Sequence, residues 1–432
     1  MSKKNDNSVA NRLKGYLPNG VPTNMFDKYA KDFDLADQLM KQAADQVNEF
    51  QKVNIIVMGK TGVGKSTLIN NLFRDKLAET GTGKPVTQHL HRISKEGIPL
   101  TLYDTKGLEL SSDVQKEITN EIFEYIDTQN GTDEEIHLIY YAIHAQSNRI
   151  EETEIELIKQ LSEKVPVLIV LTQAMGVQSE EFEAYIDNLN LPVTDIQRVM
   201  AEPFKINKDV TIERFGLDTL VEQSFTVLPE VYHKAFNNVQ QANIKRKVKA
   251  ARNWALGYNA MTFGVGFTPI PFTDSSVLVP IQITMLAHIT GIFGIDLDRA
   301  TIVSLIAAVG GTGSAKYVGR SIVSNALKAI PGVGTVVGGL ISGTTAAAIT
   351  TTLAFSYIEV LAVMAQAEAN GVEITPNQLK KMMQERFSKQ MKKNKEEVNI
   401  EELEAVEETK WEKVKESTKN LTEKIPNPFK RK

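Results

Sequence analysis

The chain has 432 residues, no cysteine, and 49 basic against 53 acidic side chains for a formal net charge of -4. At roughly 100–200 residues per domain it predicts two or three domains, and 42% apolar with 24% charged residues excludes a wholly disordered or collagen-like chain. The charge balance predicts no specific nucleic-acid partner, the missing cysteine excludes disulfides, thiolate zinc sites and cysteine nucleophiles, and a polar N-terminus without a signal-peptide core sets a cytoplasmic location as the expectation.

Residues 1–24 read as a loose polar leader containing Gly15, Pro18, Gly20 and Pro22. From Tyr29 the apolar residues step Tyr29, Phe33, Ala36, Met40, Ala43, Val47, Phe50. That is one stripe of a helix, so residues 1–50 divide into leader and N-terminal amphipathic helix. Packing on the following domain and a dimerising coiled coil are both open to such a stripe, the first being the simpler.

Residues 51–228 alternate short β-branched runs with amphipathic stretches. The runs are Asn54–Met58, His91–Ser94, Leu100–Tyr103, Ile136–Ile143, Val165–Leu171 and Arg198–Met200; helical patterns cover Ser66–Phe73, Val114–Tyr125, Glu152–Leu161 and Glu180–Leu189. Strands alternating with helices predict an α/β fold with a doubly wound, mostly parallel six-stranded sheet. The link Lys95–Ile98 is too short for a crossover, so the second and third runs should form an antiparallel hairpin.

The first run leads into Gly59-Lys60-Thr61-Gly62-Val63-Gly64-Lys65-Ser66-Thr67. Strand, G-x-x-x-x-G-K-S, helix is the context a phosphate-binding loop requires. Its glycines let backbone N–H groups converge on an anion, and the following helix aims its positive end at the same point. Lys65 would neutralise β/γ-phosphate charge, and the Ser66 hydroxyl is a hard oxygen ligand for Mg²⁺. Asp104-Thr105-Lys106-Gly107 ends the third run as D-x-x-G. Its aspartate suits Mg²⁺ and the Gly107 amide a γ-phosphate. Between the two lies Gly81-Thr82-Gly83-Lys84-Pro85-Val86-Thr87, where Thr87, with Thr82 as competitor, would add a second hydroxyl to the metal.

These motifs and their spacing resemble the translation-factor-related class of P-loop GTPases, in its Era-like branch, while the phosphate-loop wording is also similar to septin-like GTPases. The resemblance implies GTP or GDP as ligand, Mg²⁺ as cofactor and a nucleotide switch. Catalytic weight would fall on Lys65, Thr87 and Gly107. It places the guanine-reading motif at Thr172-Gln173-Ala174-Met175 and the loop whose alanine amide meets the base at Ala201. Met175 stands where the family has its base-binding aspartate, which predicts a reduced margin of GTP over ATP of about 1.4–2.8 kcal/mol. Gln173, Glu180 or Glu181 are the residues available as substitutes. Leu108 follows Gly107 where many switches carry a water-orienting glutamine, so slow intrinsic turnover is expected. Lys60 and Lys106 are placed to offset developing charge or to be solvated. Septin-like relatives pair through their nucleotide faces, so a homodimer of that kind is implied; a non-catalytic, nucleotide-regulated scaffold is the competing reading.

Smaller features carry bland readings: His89 and His91 on a solvated strand edge, Arg149 in a loop, Asp274 as a helix cap. Beyond residue 228 the composition changes. Asn253–Thr273, Ser275–Ile295 and Ala329–Ile358 are free of charge. Residues 229–371 are expected to be an all-α hydrophobic domain, and Val265–Gly371 resembles an uncharacterised helical domain that follows the G domain in some bacterial GTPases. It reads as a soluble or peripherally bound bundle, or as a membrane-inserting segment gated by the nucleotide. Residues 372–432 form a Lys/Glu-rich tail, helical or disordered.

Overall fold

The computed structural model describes residues 35–74, 77, 82–87, 89–105, 112–266, 275–297, 301, 305, 308 and 343–396. It divides into two compact units, Val47–Asn243 and Met1–Gln46 with Ile244–Lys432. Helix α1, Leu35–Asn48, carries the later part of the expected N-terminal stripe; Tyr29 and Phe33 lie outside the described residues.

The first unit is built on a seven-stranded sheet. Its strands are β1 (Val53–Met58), β2 (Thr82–Pro85), β3 (Leu90–Ser94), β4 (Leu100–Thr105), β5 (Leu138–His144), β6 (Val167–Thr172) and β7 (Asp195–Val199), in the order β2-β3-β4-β1-β5-β6-β7. Strands β4, β1, β5, β6 and β7 run parallel, and β3 joins β4 antiparallel as the short Lys95–Ile98 link requires. All six expected strands are present. The seventh, β2, pairs antiparallel on the edge with Thr82 opposite Ser94, where sequence suggested only a glycine-rich segment.

Helices flank the sheet: α2 (Lys65–Leu72), α3 (Ser112–Gln129), α4 (Glu152–Ser162), α5 (Gly176–Asp187), α6 (Leu217–Val227) and α7 (Glu230–Val239). A two-strand hairpin, β8 (Phe204–Lys205) with β9 (Thr211–Ile212), precedes α6. Central strands are covered on both faces and so read as unbroken apolar runs; every residue of β1 and β6 is buried. Successive side chains point to opposite faces. Val53, Ile55 and Val57 therefore join Leu68, Leu72, Phe225 and Phe236 in one core, while Ile56 and Met58 join Ile118, Ile158 and Phe182 in the other. Because α7 packs into the first of these cores through Ala235, Phe236 and Val239, the compact unit runs on to Asn243 rather than ending near residue 228.

The second unit contains α8 (Ile244–Gly266), α9 (Ser275–Phe293), α10 (Gly343–Ala369) and α11 (Pro376–Glu396). Ile289, Phe293, Tyr357, Leu361, Leu379, Met383 and Phe387 share its core. The spacing Leu379, Met383, Phe387 puts one apolar stripe of an otherwise charged helix on that core. Two of its buried polar contacts are close: Thr290 and Tyr357 hydroxyls meet at 2.7 Å, and the buried Lys247 ammonium donates to the Phe293 carbonyl at 2.6 Å. Cation against C-terminal carbonyl is the favourable sense for a helix dipole. Among the described residues no helix is long and apolar enough to cross a membrane. Much of the Ala329–Ile358 span, and Asp274, lie outside the described residues.

Candidate functional site

β1 delivers the chain to Gly59, whose φ of 137° is followed by 80° at Gly62 and 98° at Gly64. A Cβ on Gly59 would meet the Ala142 carbonyl oxygen at 2.3 Å. Only glycine allows the loop to pass this close to β5. The loop enters α2 at Gly64, which offers no side-chain cap, and the first turn of α2 holds no acid. Its leading N–H groups and dipole are thus left to an external anion. The Lys65 ammonium folds back over the loop, donating to the carbonyls of Gly59 at 2.8 Å and Lys60 at 3.1 Å. Ser66 and Thr67 are exposed at the same helix end. Loop amides, one lysine and exposed hydroxyls are the donor set a metal-bound polyphosphate needs, so the residues present fit Mg²⁺ and a nucleoside triphosphate.

Asp104 stands on β4 opposite Val57 of β1, one strand spacing of about 4.8 Å from the residues entering the loop. Leu90 pairs with Thr105, which brings the β2–β3 turn to the same end of the sheet. Thr87 lies in that turn, and its hydroxyl accepts from the Leu90 N–H at 3.1 Å. It therefore closes its own turn. Lys106, Gly107 and Leu108 lie outside the described residues.

The β6 end contributes Thr172 and Gln173. Thr172 is buried and its hydroxyl is shared between the carbonyls of Val63 and Ile143. It pegs the phosphate loop to the sheet; it does not present its hydroxyl to solvent. Gln173 adopts a left-handed φ of 51° and stays exposed, its amide nitrogen 3.7 Å from the position of a Cβ on Gly64. The Ala174 N–H donates to Val199 O at 3.2 Å, and Gln146 donates to the Met175 carbonyl at 2.9 Å. Ala201 is half-buried just beyond β7. Glu180 is engaged by Arg198 at 3.1 Å, with Glu183 on the same guanidinium at 2.8 Å. Glu181 is exposed on α5.

Lys60 is placed differently from either expectation. Its ammonium lies 2.9 Å from Glu151 and 3.0 Å from Glu154, the two acids of a capping box that starts α4. Burial acts to lower its pKa, but hydrogen bonds and charge from Glu151 and Glu154 outweigh that and raise it. The pair anchors the loop from its outer side. No sequence pattern marked this contact, since the partners are more than 90 residues apart. Arg149 is largely exposed, and among the described residues no group of three His, Asp or Glu side chains forms a metal cluster.

Residues 54–173 match the family model described as 50S ribosome-binding GTPase. The chain is 27% identical over 174 residues to Septin-9 of Rattus norvegicus, covering 34% of this chain and 30% of that protein. It is 24% identical over 249 residues to Septin-11 of Homo sapiens, covering 52% and 54%. It is 25% identical over 210 residues to the tRNA modification GTPase MnmE of Ureaplasma parvum, covering 47% and 44%. The chain therefore spans between 30% and 54% of the length of these relatives. A crystal structure of Cdc11 from Saccharomyces cerevisiae aligns at 20% identity with a TM-score of 0.22, covering 37% of this chain and 68% of that one, too partially to bear on the fold. The matched segment holds the loop Gly59–Thr67, Asp104 and Thr172–Gln173 on adjoining strand ends, and the chain thus carries a P-loop GTPase G domain.

Proposed function

We propose that this domain binds GTP with Mg²⁺, hydrolyses it slowly and acts as a nucleotide switch. The observation that carries the reading is the Gly59–Ser66 loop, with its glycine-only approach to β5, its uncapped helix and Lys65 folded across it. Lys65 binds phosphate charge, while Ser66 in the first turn of α2 and Asp104 at the end of β4 would hold the metal. When bound, Mg²⁺ supplies charge neutralisation and orientation of the phosphates. Thr87 joins them by releasing its own turn, and the Gly107 amide meets the terminal phosphate. Gln173 and Ala201 face the base. Leu108 cannot orient water, so turnover is slow and a partner, such as a second copy across the nucleotide face, accelerates it.

The test is calorimetric titration of the full chain with Mg²⁺ and GTP, GDP or ATP, followed by phosphate release. Lys65→Ala should lower nucleotide affinity at least tenfold, roughly the 1.4 kcal/mol expected for one lost charge-assisted contact. Unchanged affinity in that variant would refute the phosphate site. A second reading, a nucleotide-regulated scaffold, is favoured by Leu108 together with the likeness to septins. It predicts binding without turnover above background, at any protein concentration.

A further inference from the structure

The base-reading loop after β6 lacks an acid at Met175, yet guanine is read best by a carboxylate, which accepts from its N1–H and N2–H₂ together. Adenine presents an acceptor at N1 and cannot bind that way. The acids that follow on α5 do not fill the gap. Glu180 and Glu183 are both drawn to Arg198, and Glu181 lies on the second turn of the helix, exposed and without a tether in the described residues.

The loop after β7 carries one more. Glu202 follows Ala201, is exposed, and has one carboxylate oxygen accepting from the Asn71 side chain at 3.0 Å. Asn71 is itself fixed on α2 by a bond to the Thr67 carbonyl at 2.9 Å. The Glu202 loop is thus tied on one side to the helix that rises from the phosphate loop. On the other side it is tied to the loop after β6, through the Ala174–Val199 bond three residues upstream. Among the described residues no cation pairs with Glu202, and its second oxygen makes no hydrogen bond. A neutral donor orients this carboxylate without neutralising it. Resting on the nucleotide reading above, we propose that Glu202 is the specificity residue of the site: it reaches from the β7 side to accept the two guanine donors, and Asn71 positions it.

Competition binding to the full chain with Mg²⁺ and the triphosphates of guanosine, inosine, xanthosine and adenosine tests this. Wild type should rank guanosine above inosine, which lacks the 2-amino group, and inosine above adenosine. Glu202→Gln should weaken guanosine triphosphate at least tenfold, leave adenosine triphosphate within about twofold, and strengthen xanthosine triphosphate, whose 2-oxo group a carboxamide can donate to. That gain is one a purely structural role would not produce. Asn71→Ala should lower the guanosine preference in the same direction by less, and Glu180→Gln should leave the ranking unchanged. If wild type binds these triphosphates and Glu202→Gln keeps its guanosine-to-adenosine ratio, the assignment of Glu202 is overturned and the phosphate site stands. If wild type binds none of them, both fall.

Discussion

Gly59→Ala separates the two things a phosphate-loop glycine supplies, backbone freedom and room. A Cβ there would sit 2.3 Å from Ala142 O and 3.2 Å from a Val63 methyl, on a backbone with φ of 137°. The carbonyl oxygen would be overlapped by about 1 Å relative to ordinary C···O contact. It cannot retreat, because Ala142 sits in β5 paired with Val170 of β6. Backbone strain of about 1–3 kcal/mol adds to overpacking of about 1–3 kcal/mol, so the variant should lose about 2–6 kcal/mol. Gly62→Ala meets open space at φ of 80° and should lose only the left-handed penalty, about 1–2 kcal/mol. Hydrogen exchange read on peptides from β1 and β5 is the suitable assay, because a chain of two units need not unfold in one transition. Gly59→Ala should accelerate exchange in both strands and abolish nucleotide binding. Equal effects of the two substitutions, or a Gly59→Ala loss under 1 kcal/mol, would refute the close-approach account.

Three further outcomes follow from the same contacts. Thr172→Val strands the Val63 and Ile143 carbonyls without their shared donor and should destabilise the loop by about 1–3 kcal/mol, whereas Thr172→Ser, keeping the hydroxyl, should cost less; exchange of the loop amides and nucleotide affinity both report it. The Lys60 hydrogen bond holds the Glu151 carboxyl below its ordinary 4.5, so the pair stabilises above that value and fades as pH falls through the lowered folded-state pKa. Lys60→Met should therefore lower thermal stability at pH 7 and converge with wild type in strong acid, and a difference that is undiminished once the carboxyls are fully protonated would refute the pairing. His137 accepts the Asn54 N–H at Nδ1, 3.0 Å away, and lies 3.9 Å from the Tyr232 ring. Burial pushes its pKa below 6.5, with Glu135 opposing more weakly, so the unfolded chain binds the extra proton and stability falls as pH drops below 6.5, at up to about 1.4 kcal/mol per unit. His137→Asn, which keeps an acceptor, should flatten a denaturation profile taken between pH 7.5 and 5.5.

Legibility divided along a physical line. Buried parallel strands announce themselves as unbroken apolar runs, and the phosphate loop as glycines between strand and helix, because both are set by local backbone requirements. Strand β2 was illegible: in Thr82-Gly83-Lys84-Pro85 only Thr82 favours a strand, and the segment is extended because β3 offers it an edge. Thr172 has the residue type of a base contact and the partners of a structural peg; nothing short of the folded strand ends separates the two. Lys60 read as offsetting phosphate charge or as solvated, whereas its ammonium pairs with Glu151 and Glu154 from 91 and 94 residues away, a contact no local pattern marks.

The same division bears on what the nucleotide reading rests upon. Its phosphate half depends on backbone geometry within one contiguous segment and on the Thr172 hydroxyl that pegs it to the sheet, so substitutions away from the loop, its peg and the base side should leave triphosphate binding intact. On the proposal made for Glu202, its base half would draw on α2, the loop after β6 and the loop after β7, three segments joined by the Asn71–Glu202 and Ala174–Val199 hydrogen bonds only in the folded sheet. A change in any one of them alters selectivity without touching the loop. If Glu202 supplies the carboxylate, the departure at Met175 is compatible with a guanine site, because the carboxylate needs to reach the base, not to come from a particular strand.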